Sequence, residues 1–220
     1  MRKKLVIFGL GDLARLAMFN FTNYSDYDVC AFTVTSDYIK ETQFFNLPVV
    51  PFENLSISHP NDQYELFIAI GYSKLNTVRA KYYYQAKEKS YRLASFKSPF
   101  ATVLTEHIGD NTFIFEDNTI QPFVEIGNNV ILWSGNHVGH DAIIEDHCFI
   151  TSHVVLAGWT TIGAYSFIGI NATIKDKTKI AERCLIGAGA LITKNTKAGC
   201  IYKAESAKLS EVSIEQLKWT

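Results

Sequence analysis

Cysteine is scarce and scattered. Cys30, Cys148, Cys184 and Cys200 form no pair at metal-binding spacing, so neither a disulfide framework nor a cysteine metal site organises the chain. Net charge is also nearly absent: 21 Lys and Arg against 22 Asp and Glu leave −1, which excludes a polycationic nucleic-acid binder. Long apolar runs are missing too. Arg2-Lys3-Lys4 precedes an apolar stretch that already ends at Gly9, too short for a signal-peptide core or a membrane span. A cytoplasmic location, with no membrane and no nucleic-acid partner, is the expectation. What remains is a 220-residue chain of 47% hydrophobic composition, enough for one or two compact domains with real cores.

The dominant positive feature is a period. From Ile108 to Ile192 an aliphatic residue recurs at every sixth position: Ile108, Ile114, Ile120, Ile126, Leu132, Val138, Ile144, Ile150, Leu156, Ile162, Ile168, Ile174, Ile180, Ile186, Ile192. Two positions before most of them stands a small residue, among them Thr112, Ala142, Cys148, Ser166, Ala172 and Cys184. An amphipathic helix requires apolar residues three or four apart, and a half-buried strand requires every second one. A six-residue period fits a solenoid of short parallel strands, each with its aliphatic and its small partner pointing inward. Gly109, Gly127, Gly139, Gly163, Gly169 and Gly187 directly follow an aliphatic, where a tight corner is expected.

The first hundred residues have another rhythm. Leu5–Phe8, Val29–Phe32 and Leu66–Ile70 read as buried strands, Leu47–Pro51 as an edge element and Arg92–Phe96 as a further strand. Helical stretches run up to Phe21 and from about Leu75 to Glu88. Strands alternating with helices predict a small parallel α/β sheet, Rossmann-like in plan. The first strand leads into Gly9-Leu10-Gly11-Asp12 and a helix, an arrangement that presents backbone N–H groups and a positive helix end to a phosphate. There is no third glycine in the usual place, so the turn falls short of the dinucleotide pattern. Gly71 and Tyr72, at the carboxyl end of another strand, are expected on the same rim. The expected division is 1–100 for the α/β domain, 101–197 for the solenoid and 198–220 for a tail, in which Ser213–Trp219 forms a short helix.

Hexads of the form aliphatic-Gly-x-x-small-x resemble the hexapeptide-repeat acyltransferases, whose repeats coil as a left-handed parallel β-helix. The resemblance covers about residues 101–197. It implies three hexads per coil, about five coils, and stacking of residues 18 apart. Three outward columns follow: His107, Glu125, Ile143, Thr161, Lys179; Thr119, His137, Val155, Thr173, Leu191; and Phe113, Ile131, Phe149, Phe167, Leu185. The last is apolar throughout, and such a face is expected to be covered. The resemblance implies a homotrimer packed through it; the alternative is that the N-terminal half folds back over it.

With an α/β domain in front, the chain is similar to the bacterial sugar acyltransferases of surface-glycan biosynthesis. That group includes N-acetyltransferases of nucleotide-linked 4-amino sugars and the sialic acid O-acetyltransferase type; the Gly9-x-Gly11 turn and the Ile68–Gly71 strand end match it in place. The resemblance implies acetyl-CoA as co-substrate, no metal, and nucleotide-sugar binding at Gly9, Gly11, Asp12, Gly71 and Tyr72. It further implies coenzyme A contacts at Gly158, Trp159, Ala164, Gly187, Ala188 and Gly189, in a site between neighbouring subunits. His140 occupies the family's catalytic position with Asp141 following directly, and Gly158, one coil on, is the expected oxyanion donor. Imidazole suits a base near neutral pH, and an adjacent carboxylate fixes its tautomer. Two departures stand out. Phe149 lies where the group has a second histidine, a role that His147 or His153 would have to fill. The family's Gly-x-Pro-Ala-Lys loop appears as Ala204–Lys208 without the glycine or the proline. N-acylation is the favoured reaction, with O-acylation or a non-catalytic trimeric scaffold as alternatives. A zinc site built from His137, His140, His147 and His153 is disfavoured, because their spacings spread them over different corners.

Overall fold

In the computed structural model, which describes residues 2–216, a five-stranded sheet is followed by a three-sided coil. The sheet contains β1 (Lys3–Phe8), β2 (Tyr27–Val34), β3 (Gln43–Phe44), β4 (Leu47–Pro51) and β5 (Tyr64–Ile68). Its order is β3-β4-β2-β1-β5, parallel except for the β3–β4 pair. Helix α1 (Asp12–Tyr24) follows β1, the single turn α2 (Leu55–Ser58) follows β4, and α3 (Thr77–Glu88) follows β5. Leu5 and Ile7 of β1 pack with Leu13, Ala14, Ala17 and Phe21 of α1, while Val6 and Phe8 pack with Tyr83 and Ala86 of α3. Both faces of β1 are therefore covered, which explains why this strand reads as an unbroken apolar run rather than an alternating one.

The coil is built from two-residue strands that begin at Phe96–Lys97 and end at Ile201–Tyr202, extending beyond both ends of the hexad run. They stack into three parallel ladders of seven, six and four strands. Register partners are 18 residues apart, as in Phe113–Ile131–Phe149, Thr119–His137–Val155 and Glu125–Ile143–Thr161. These ladders are called face 1 (Phe113 column), face 2 (Thr119 column) and face 3 (Glu125 column). The aliphatics from Ile114 to Ile192 are all buried inside, together with Ala142, Cys148, Ala172 and Cys184. Each such side chain contributes about 1.5–3 kcal/mol on burial.

The corners differ from their expected form. One residue per hexad adopts a positive φ, but it lies three positions after the aliphatic: Asn111, Asp117, Phe123, Asn129, Gly135, Asp141, His147 and onward. Several of these are Asn or Asp, which tolerate that region better than other side chains. The glycines directly after the aliphatics are required for a different reason. A Cβ on Gly139 would stand 2.6 Å from the Gly158 nitrogen, and one on Gly163 would stand 2.4 Å from that of Glu182. The backbone of the following coil passes too close for any side chain there.

The expectation that Phe113, Ile131, Phe149, Phe167 and Leu185 form a trimer contact is corrected by the structure. Phe113 and Ile131 are fully buried and Phe149 is 3% exposed within one chain. The α/β layer folds over face 1, and Phe113 packs against Phe21, Phe67 and Phe96 at ring-centroid distances of 5.8, 5.3 and 4.7 Å. Tyr72 covers Phe149 and Phe167, and Leu185 remains half-buried. An apolar column requires cover, and here the chain supplies its own.

Polar groups lock this junction. Arg79 of α3 is fully buried and donates to the carbonyls of Ile70 and Gly71 in the α/β layer and of Asn129, His147 and Cys148 in the coil. Among the described residues no carboxylate pairs with it; burial pulls its pKa down to about 9, which still leaves the guanidinium charged at neutral pH. Beside it, Asn111, Asn129 and His147 form a ladder one coil apart, with Asn111 Nδ2 donating to Asn129 Oδ1 at 2.8 Å and Asn129 Nδ2 lying 2.9 Å from His147 Nδ1. The Ile68 N–H donates to Asn111 Oδ1 at 2.7 Å, so β5 ends on this ladder. At the C-terminus a single 3-10 turn spans Ile214–Gln216; the rest of the expected terminal helix, at 217–219, lies outside the described residues.

Candidate active site

His140 stands on the corner between faces 2 and 3, just after the strand His137–Val138. The Gln121 side chain one coil earlier accepts its backbone N–H at 2.8 Å and fixes the corner. With Nδ1 protonated, the imidazole donates to Asp141 Oδ2 at 2.8 Å, leaving the Nε2 lone pair free. Asp141 reaches the ring because it holds the left-handed corner position, φ 56°. The imidazole lies over Gly158: a Cβ there would be 2.8 Å from Nε2. Trp159 meets the ring edge-on at 4.5 Å. The ring is about half exposed, with 45% of its side-chain surface open.

Backbone N–H groups two positions after an inward aliphatic are either taken by a side chain or left open, as those of Ser152, Gly158 and Asp176 are among the described residues. At such corner positions the N–H groups of Asp110, Asn128, His140 and Ala164 are taken by the side chains of Asn128, Asp146, Gln121 and Glu145. That of Gly158 donates to no acceptor among the described residues. A base with a free Nε2 and an unpaired backbone donor therefore stand side by side, which is the pair that acyl transfer needs.

The other site residues expected from the sequence fall into separate groups. Gly9, Gly11, Asp12, Gly71 and Tyr72 line one cavity of about 500 Å³ with Leu10, Ile70, Trp133 and Phe149. Gly9 is explained by packing, because a Cβ would lie 2.7 Å from the Ala69 carbonyl oxygen; Gly11 and Gly71 face open space. The cavity sits where β1 and β5 diverge, with the N-terminus of α1 at its rim, the place where open α/β sheets bind ligands. Its only charged lining residue is Asp12. A phosphate there would depend on backbone N–H groups and the helix end.

The expected coenzyme A residues do not converge in one chain. Gly158 and Trp159 follow a face 2 strand, Ala164 follows a face 3 strand, and Gly187, Ala188 and Gly189 follow a face 1 strand. They occupy all three corners, since a shift of six residues moves one corner round and only 18 restores the position. Gly169 and Ala188 instead line a second cavity, of about 320 Å³, with Tyr72, Trp133, Phe149, Thr151, Ser152, Phe167 and Ile170. His147 is unavailable as a substitute for the missing second histidine. It is 1% exposed, its Nε2 lies 2.9 Å from the Tyr84 hydroxyl, and burial pushes its pKa down to about 4. His153 carries a positive φ, and its ring fills the space beside Gly135. Among the described residues, no three His, Cys, Asp or Glu side chains are grouped to hold a metal, and no helix is long and apolar enough to cross a membrane.

Three features escaped the sequence reading. Trp133 lines both of the cavities just described; its signal was the column Phe115, Trp133, Thr151, Gly169, Gly187, spaced by 18. The Asn111–Asn129–His147 ladder has the same spacing. Arg79, in a helix that also carries Lys81 and Lys87, has no sequence mark.

A three-sided coil of hexads with an α/β layer in front is the architecture of left-handed parallel β-helix transferases. Residues 126–158 and 160–194 match the family described as bacterial transferase hexapeptide (six repeats). The acetyltransferase domain of PglB from Neisseria gonorrhoeae FA1090 has the same fold over 94% of this chain and 99% of its own, with a TM-score of 0.83 and 23% identity. PerB from Caulobacter crescentus, solved with CoA and GDP-perosamine, matches 91% of this chain and 94% of its own, with a TM-score of 0.80 and 23% identity. Among curated relatives, an acyl-[acyl-carrier-protein]–UDP-N-acetylglucosamine O-acyltransferase of Nautilia profundicola is 29% identical over 118 residues. That match spans 50% of this chain and 46% of the relative, so the chain aligns with about half the length of these proteins.

Proposed function

We propose that this protein transfers an acetyl group from acetyl-CoA to the amino group of a nucleotide-linked amino-deoxy sugar, in the synthesis of bacterial surface glycans. The observation that carries the proposal is the arrangement around His140: Nδ1 held by Asp141, Nε2 free, and the unpaired Gly158 N–H beside it. The neutral amine attacks the thioester carbonyl, and His140 Nε2 takes the proton that the nitrogen sheds. The Gly158 N–H donates to the oxygen as it gains charge. The tetrahedral intermediate collapses with loss of the CoA thiolate, which takes the proton from the imidazolium. Asp141 keeps the reactive nitrogen unprotonated at the start and stabilises the charged ring afterwards. The α/β cavity around Gly11, Gly71 and Tyr72 receives the nucleotide sugar, a reading supported by the fold shared with PerB, which was solved with CoA and GDP-perosamine.

The site is completed by a second copy of the chain. Within one chain the α/β cavity opens beside the corner between faces 1 and 2, whereas His140 lies on the corner between faces 2 and 3. A threefold assembly with face 2 turned inward brings the His140 of one copy to the cavity of the next. Face 2 suits this better than face 3: it exposes Val155 and Leu191 and carries no Lys, Arg, Asp or Glu in its column, whereas Glu125 and Lys179 lie on face 3.

The curated relatives named O-acyltransferases align with only 50% of this chain, so they do not decide the acceptor; the fold shared with PerB covers 91% of the chain and supports the amine. Thiol release from acetyl-CoA, measured with UDP-, dTDP- and GDP-linked amino sugars and their hydroxyl counterparts, tests this. Turnover with an amine is expected. Turnover with hydroxyl acceptors alone overturns N-acylation, and no release with any acceptor overturns the proposal.

A further inference from the structure

Along the corner between faces 1 and 2, the residue after each inward aliphatic runs, coil by coil, Phe115, Trp133, Thr151, Gly169, Gly187, losing bulk from Trp133 onward. Gly169 is required by the coil itself, since a Cβ there would lie 2.6 Å from the Ala188 nitrogen, whereas at Gly187 the nearest atom to a Cβ is 3.2 Å away. Their effect is nevertheless a groove that is open at the C-terminal end and blocked at Trp133. The indole is held by Phe115 at 4.5 Å and Phe149 at 5.9 Å between ring centroids, inclined to it by 31° and 28°.

Trp133 is also where three cavities meet. It lines the cavity of about 320 Å³ above Gly169, the cavity of about 500 Å³ at Gly11 and Gly71, and a third of about 400 Å³. The third has walls of Phe19, Tyr24, Phe100 and Phe115, and Trp133 is the only residue common to all three. The third cavity has no part in the chemistry described above. Trp133 also shares a turn of the coil with His140, on the opposite edge of face 2. In a threefold assembly whose axis follows the coil, residues on one turn stand at one height. The His140 of the next copy then faces Trp133.

We infer that Trp133 is the residue that determines acyl-chain length. This rests on the acyl-CoA reading above. A pantetheine arm is thin and extended, and enters from the open glycine end; its thioester reaches the height of His140 at the indole. The acyl group ends against Trp133, which shuts it off from the third cavity. An acetyl group fits in front of the indole, and a chain of six carbons does not. Removing the indole joins the 320 Å³ cavity to the 400 Å³ one, whose walls are mainly aromatic with Asn20, Ser98, Glu116 and Ser134 between the rings, and supplies space for a longer chain.

Isothermal titration of the purified protein with CoA, acetyl-CoA, butanoyl-CoA and hexanoyl-CoA tests this without an acceptor. The wild type is expected to bind hexanoyl-CoA at least tenfold more weakly than acetyl-CoA. Trp133→Ala is expected to remove that difference, bringing the dissociation constants of hexanoyl-CoA and acetyl-CoA within threefold of each other. Trp133→Phe, which keeps a ring in place, should retain most of the discrimination. Trp133→Leu serves if the alanine variant melts early, and should show an intermediate profile. Equal discrimination by the wild type and the folded variants overturns the role of Trp133 while leaving the acyl-CoA reading intact. Absence of binding of any CoA species by the wild type overturns both.

Discussion

The imidazole of His140 lies directly over Gly158, close enough that a single methyl group on that glycine would stand 2.8 Å from Nε2. The contact makes a glycine obligatory at this position if the ring is to keep its place. Gly158→Ala should therefore displace the imidazole and crowd the backbone donor together. Loss of one oxyanion donor costs about 100–1,000-fold in kcat, and a loss of that order is expected with little change in KM for acetyl-CoA. Steady-state thiol release, with a melting curve to confirm folding, checks it.

His147 gives the protein an acid-sensitive junction. Burial holds its folded pKa near 4, below the ordinary 6.5. A histidine of the unfolded chain takes up its proton first as pH falls, so the unfolded state gains. Stability is full above about pH 6.5 and is lost progressively between there and pH 4, by on the order of 3 kcal/mol. His147→Gln should flatten this part of the curve, measured by urea unfolding at a series of pH values.

Arg79 joins the two layers through five carbonyl oxygens and the Asn76 side chain. Arg79→Met preserves much of the volume but removes the donor to all of them, and among the described residues only the Cys148 carbonyl keeps another partner, the Ile131 N–H. A loss of about 3 kcal/mol or more is expected, because each unsatisfied buried group costs about 1–3 kcal/mol. Chemical denaturation measures it; a change below 1 kcal/mol would show that water replaces the guanidinium.

Faces 1 and 2 should respond differently to a carboxylate. Val155→Asp, on an exposed position of face 2, is expected to split the assembly into folded monomers that have lost turnover. Phe149→Asp, buried under the α/β layer, should instead unfold the chain. Sedimentation velocity with circular dichroism separates the two outcomes.

The coil was legible because a six-residue period admits few other structures, and stacking by 18 followed from it together with the resemblance. Burial of the Phe113 column was legible too, but not its cover: an outward apolar residue records that water is excluded and not what excludes it. The corner chemistry was misread at the glycines, where the constraint is the neighbouring coil rather than the residue's own φ. The Asn and Asp at Asn111, Asp117, Asn129, Asp141 and Asn171 were the better signal of left-handed corners. His140, Asp141 and Gly158 stand together as their spacing of 1 and 18 dictates. Ala164 falls on the third corner for the same reason, six residues beyond Gly158. Arg79 and the junction it locks depend on how two layers meet, which no local pattern encodes.

The central claim is that His140 is the base of an acyl transfer. It is tested most directly by His140→Asn, comparing thiol release from acetyl-CoA with the wild type on the same amino-sugar acceptor while titrating CoA binding. The account predicts turnover lowered by about 100–10,000-fold with the dissociation constant of CoA nearly unchanged. Turnover within threefold of the wild type would contradict it.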